Sequence, residues 1–134
     1  MSSGQYSGLI NSFQGSAACT EFRFVKLTST AKEKLECADA GAGDQVLGVC
    51  AEPGGAGDNI SVAQSGIGMM ALDGSGTAIV AKDRLQSDAA GKGVKSAPAA
   101  GVNAEIGAIS LVSTSADELG WVHITPMVIF QGAA

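Results

Sequence analysis

Turn-forming clusters interrupt this chain about every ten residues, which leaves no room for helices of ordinary length. Three are plain in the sequence: DAGAGD (Asp39–Asp44), PGGAGDN (Pro53–Asn59) and SDAAGKG (Ser87–Gly93). The stretches between them favour strands. EFRFVKLT (Glu21–Thr28) is rich in aromatic and β-branched residues, and NISVAQS (Asn59–Ser65) alternates, with Ile60 and Val62 inward and Ser61 and Ala63 outward. QVLGVCAE, TAIVAKDRLQSD, IGAISLVS (Ile106–Ser113) and GWVHITPMVIF (Gly120–Phe130) read the same way. No segment sustains a 3.6-residue period, and TAKEK (Thr30–Lys34) offers at most one helical turn. No internal repeat stands out. The predicted fold is therefore all-β: a compact sandwich or barrel of short antiparallel strands. Pro126 has no N–H for a sheet ladder, so it marks an edge or a bulge.

A chain of 134 residues suits one domain. Residues 1–20 are rich in Ser, Gly and Gln with isolated apolar residues, and are expected to form an extended N-terminal arm ahead of a β-rich domain at 21–134. Thirteen acidic residues against eight Lys and Arg leave a net charge of −5. That balance argues against nucleic acid and against an anionic membrane surface, since both need clustered cations. No run of about 18 apolar residues exists to span a bilayer. The N-terminus lacks the basic start and apolar middle of a secretory signal, which predicts synthesis in a cytoplasm. Only 16% of residues are charged, against about 25% in typical domains. A surface this short of charge is expected to be covered in part by partners.

Motifs that would carry chemistry fail on inspection. A phosphate-binding loop needs a glycine five positions before its Gly-Lys pair, a Ser or Thr directly after it, and a following helix. Around Gly91-Lys92 those positions hold Gln86 and Gly93, and Pro98 and Gly101 follow. The stretch reads instead as a hairpin turn from Asp88 to Gly93 between Leu85 and Val94, with glycine supplying a positive φ. GIGMMA (Gly66–Ala71) fits the loose dinucleotide pattern but runs into the turn LDGSGT, so no cofactor is expected, and Met69 and Met70 read as core or interface residues. Cys19, Cys37, Cys50 and His123 lack the close pairs of a zinc site; buried free thiols, no metal and no disulfide framework are expected. His123 reads as a strand residue. No serine sits in a strained nucleophile elbow, and the aspartates fall mostly in turns. No catalytic residue is assigned.

The order of elements resembles that of capsid decoration, or cement, proteins of tailed bacteriophages. The likeness runs from about Phe22 to Thr125: a first strand FRFVKLT, an Ala/Asp/Gly turn leading to a strand at Gly48-Val49, and AGDNISVAQSGI. The hairpin VAKDRLQSDAAGKGVKSA follows, and the closing pair IGAISLVSTSADELGWVHI. The resemblance implies a structural virion protein, made in the host cytoplasm, that binds the outer surface of an assembled head. It would stabilise the head by bridging neighbouring major capsid proteins, its partners being that protein and two further copies of itself in a homotrimer. On that reading Leu9, Ile10 and Phe13 anchor the arm, and Met69 and Met70 join the capsid or subunit contact. Two rivals stay open: a tail- or fibre-associated receptor-binding β-module, and a small enzyme with an intersubunit site using His123 or an aspartate.

Overall fold

The computed structural model describes residues 7–29, 34–98 and 100–129. Its strands are β1 (Ile10–Gly15), β2 (Phe24–Leu27), β3 (Glu36–Asp39), β4 (Gly48–Glu52) and β5 (Asn59–Ala63), then β6 (Gly66–Asp73), β7 (Arg84–Ser87), β8 (Gly93–Lys95), β9 (Ala104–Ser110) and β10 (Asp117–Ile129). They form two closed barrels, one from β1–β5 in the order β1-β3-β2-β4-β5 and one from β6–β10 in the order β10-β6-β8-β7-β9. Closure removes the open sheet edges on which strands of other chains could pair. The all-β prediction holds. Most neighbours are antiparallel as expected, but β1 with β3 and β6 with β8 run parallel.

The two barrels have the same topology, pairing for pairing. Phe24–Val49 and Val25–Gly48 in the first barrel correspond to Arg84–Ile109 and Leu85–Ala108 in the second, sixty residues further on. Phe13–Ile60 corresponds to Met70–Gly120, and Gly15–Cys37 to Leu72–Gly93. The likeness extends to the loops. The isolated bridge Cys19–Gly54 matches Ile79–Thr114. Phe22 (φ 70°) and Lys82 (φ 83°) are the non-glycine residues with left-handed backbone among the described residues. Each stands two positions before its strand, and each donates its N–H across the barrel, to the Cys50 and Ser110 carbonyls. The fold is thus a tandem pair of one unit. Sequence does not announce it, because of the matched strand positions only Ile10/Ile67 and Val62/Val122 keep the same residue.

The first interior holds Phe13, Cys19, Val25, Cys37, Cys50, Ile60 and Val62, all buried. The matching places in the second are Met70, Ile79, Leu85, Gly93, Ser110, Gly120 and Val122, also buried. Where the second barrel has lost volume at Gly93 and Gly120, Leu72 fills it. A Cβ on Gly120 would stand 2.6 Å from Leu72 Cδ1, and one on Gly93 would stand 3.1 Å from Leu72 Cδ2. Leu72 itself replaces Gly15, where a side chain would meet the Gly55 carbonyl at 2.4 Å.

The barrels dock through the outer surface of the first. Phe24, Val49, Ala51 and Ala63 face out of it, yet all are buried in a shared cluster with Met70, Leu72, Leu85, Val122 and Ile124. Ala63 is therefore outward, as the alternation predicts, but covered. The Phe24 ring lies on Gly107, where a Cβ would come within 2.4 Å of it. Backbone bonds complete the joint: Phe24 N–H to Gly91 O (2.7 Å), Ala71 N–H to Phe22 O (2.7 Å) and Gly43 N–H to Ser87 O (3.0 Å).

Two sequence expectations change. The segment expected as an arm contains β1, which pairs with both β3 and β5 and is part of the first barrel. Its alternation of Phe13 and Gly15 inside with Ser12 and Gln14 outside is a strand signal obscured by the surrounding Ser and Gly. The remainder of that expectation at residues 1–6, and residues 30–33 of TAKEK, lie outside the described residues. The single β-domain is two barrels. Pro126 does mark a bulge, since the β10–β9 register shifts between Ile124 and Met127.

Candidate interaction surface

The Gly-Lys stretch forms the β7–β8 hairpin turn. Asp88 Oδ1 accepts the N–H groups of Ala90 (2.8 Å) and Lys92 (2.9 Å), and Gly91 donates to Asp88 O. Lys92 Nζ is 2.7 Å from Asp117. The amides and the cation that a phosphate would use already serve the turn. Gly91 has φ 83° and packs tightly: a Cβ there would stand 3.1 Å from Phe24 O and 3.3 Å from Arg23 Cβ. This hairpin tip is the plug that joins the barrels, with Arg23 Nη1 also reaching Ala90 O at 3.2 Å.

The three thiols are free and buried in the first barrel, with Cys19 and Cys37 Sγ atoms 3.7 Å apart. Burial pushes Cys50 up to about 12 and raises Cys19 and Cys37 as well, so all three stay protonated and unreactive near neutral pH. His123 lies on the exposed face of β10 in the second barrel, away from them. Among the described residues, no three His, Cys, Asp or Glu side chains gather as a metal site would need.

The expected contact residues divide. Leu9 is exposed (56%), and its N–H bonds the Ser65 hydroxyl. Ile10 is half-buried against the shared core. Phe13 fills the first barrel and Met70 the second, so Met70 presents no surface to a partner. Met69 is half-buried on the outer face of β6. Its neighbours there were not singled out by sequence. Trp121 pairs with Met69, Leu119 with Ala71 and His123 with Ile67, while Leu111 donates its N–H to Trp121 O. Ile67, Leu111, Leu119 and Trp121 are each more than two-fifths exposed. They form an apolar sheet face across β6, β10 and the end of β9, of the kind that marks a contact site. The signal is in the sequence: Leu119 and Trp121 alternate with Gly120, Val122 and Ile124, making β10 apolar on both faces. In the first barrel the places of Met69, Leu119 and Trp121 hold Ser12, Asn59 and Ser61.

No protein-family model matches the chain, and no curated protein does. Among solved structures, the fold is similar to the N base of the head fibre protein gp8.5 of bacteriophage phi29. The TM-score is 0.64 at 13% identity, covering 87% of this chain and 93% of that one. The likeness is one of fold, and it spans both barrels.

Proposed function

We propose that this protein is a structural component of a phage head. It binds the outside of the assembled head, as a homotrimer, and strengthens it by bridging neighbouring major capsid proteins, with no catalytic step of its own. The observation that supports this reading most is a fold shared, over nearly the whole chain, with a phage head fibre protein. The exposed apolar face of β6 and β10 supplies a contact surface, with Leu9 and Ile10 at its N-terminal margin, since Ser7 bonds Ile67. A net charge of −5 suits an outer position, away from the packaged genome. Contacts of modest strength would hold through multivalency.

The test is to mix the purified full chain with heads assembled from the major capsid protein of the same phage. Expected are co-sedimentation at fixed stoichiometry, a trimer mass in solution, and heads that rupture at a higher temperature when occupied. Absence of co-sedimentation overturns the reading.

A further inference from the structure

The second barrel carries an open cleft of about 390 Å³ lined by Lys82, Asp83, Arg84, Lys95, Ser96 and Ile106, among others. Its matching place in the first barrel is occupied. Phe22, Arg23 and Phe24 correspond to Lys82, Asp83 and Arg84, and Ala40 to Ser96. The backbone bonds fix the match: Ala40 N–H to Phe24 O and Ser96 N–H to Arg84 O, both 2.9 Å. In the first barrel this cleft receives the hairpin tip Ser87–Gly91, held by Phe24 N–H, Arg23 and Gly43. The left-handed residue at the rim recurs in both barrels, so the shape belongs to the fold.

The chemistry of the two clefts differs. Aromatic Phe22 and Phe24 are replaced by Lys82 and Arg84, and the acidic Asp39 by Lys95. Three of the chain's eight Lys and Arg residues thus converge in an otherwise acidic protein. Asp83 is the carboxylate among the lining residues; it accepts the Val80 N–H and stands 3.9 Å from Lys95. The Ser96 Oγ is buried without a hydrogen-bond partner among the described residues. A buried hydroxyl left unpaired is costly and points to a group that completes it.

We propose that this cleft is a docking site for an acidic hairpin loop of a different protein. The loop enters as Ser87–Gly91 enters the first barrel, with carboxylates meeting Lys82, Arg84 and Lys95 and an acceptor meeting Ser96 Oγ. The sequence of this chain between β2 and β3, which corresponds to that between β7 and β8, reads TSTAKEKL and carries Lys32 and Lys34 against the single acidic Glu33. Its charge disfavours it as the occupant.

The isotope-labelled full chain is titrated with a cyclised hairpin peptide whose turn carries Asp-Glu-Ala-Gly-Asp, and with its Asn/Gln counterpart. Expected are saturable amide shifts at Lys82–Arg84 and Lys95–Ala97 with the acidic peptide, at least about tenfold weaker binding of the neutral one, and weakening by added salt. Arg84→Glu and Lys95→Glu abolish the shifts, while circular dichroism confirms that these exposed substitutions leave the fold intact. Ser96→Ala weakens binding. Absence of saturation overturns the proposal, as does equal binding of the two peptides or of the charge-reversed variants. Self-association of the wild type that those variants abolish overturns the assignment to a different protein.

Discussion

Gly15, Cys37 and Ile60 in the first barrel stand where Leu72, Gly93 and Gly120 stand in the second. Both interiors are filled, but the bulk has moved from β3 and β5 to β6. Outside, Phe24, Val49 and Ala63 of the first barrel lie beneath the second, while Arg84, Ile109 and His123 at the same places are not so covered. One backbone plan thus accepts different side chains once volume is conserved within each unit. The second unit keeps available the surfaces which the first uses to bind the second.

The largest test of this contrast is Phe24→Ala. It removes a fully buried ring from the joint and should cost about 3–5 kcal/mol in chemical denaturation. Arg84→Ala, at the matched exposed place, should change stability by no more than about 0.5 kcal/mol. Similar losses for the two would contradict the asymmetry of the joint. Next is Gly120→Ala, expected to cost about 1–3 kcal/mol by overpacking against Leu72. In a Leu72→Ala background that cost should shrink, and strictly additive effects would refute the volume exchange.

Titration separates the interiors in a third way. The thiols of the first barrel are raised by burial, so folding favours their neutral form. Their contribution is complete below about pH 9, their ordinary value, and is lost as pH rises above it. The matched Ile79, Gly93 and Ser110 do not titrate there. Cys50→Ser, which copies Ser110, should reduce the alkaline slope of stability, and thiol reagents should modify the native protein far more slowly than the unfolded chain. A small effect concerns Asp44, held below its ordinary value first by the Gly41 N–H and then by Lys26. Its contribution is present above about pH 4 and lost as pH falls; Asp44→Ala should cost within about 1 kcal/mol, since the pair is exposed.

The strand-rich class was legible because EFRFVKLT and NISVAQS alternate between breakers, and Pro126 marked its bulge for want of an N–H. The hairpin at Asp88–Gly93 was legible because a phosphate loop would need residues that are absent. The duplication was not, because matched places exchange residue types in compensating sets: Ile60 for Gly120 is unreadable without knowing that Leu72 fills the space. β1 hid for a related reason. Phe13 is its one large inward residue, and Gly15 beside it is small because the Gly55 carbonyl approaches there. The apolar face was half legible, through Met69; Leu119 and Trp121 were not, because a strand apolar on both sides does not tell its covered face from its open one.

The exchange of bulk between β3, β5 and β6 restricts how such a protein can be recombined. Grafting a single strand from one unit into the other would set Leu72 against Ile60, or leave Gly15 facing Gly120, so one chimera would be crowded and the other hollow. Transplanting all five strands together avoids both faults. The heritable module is the intact unit, and a longer tandem array would have to be built in steps of that size.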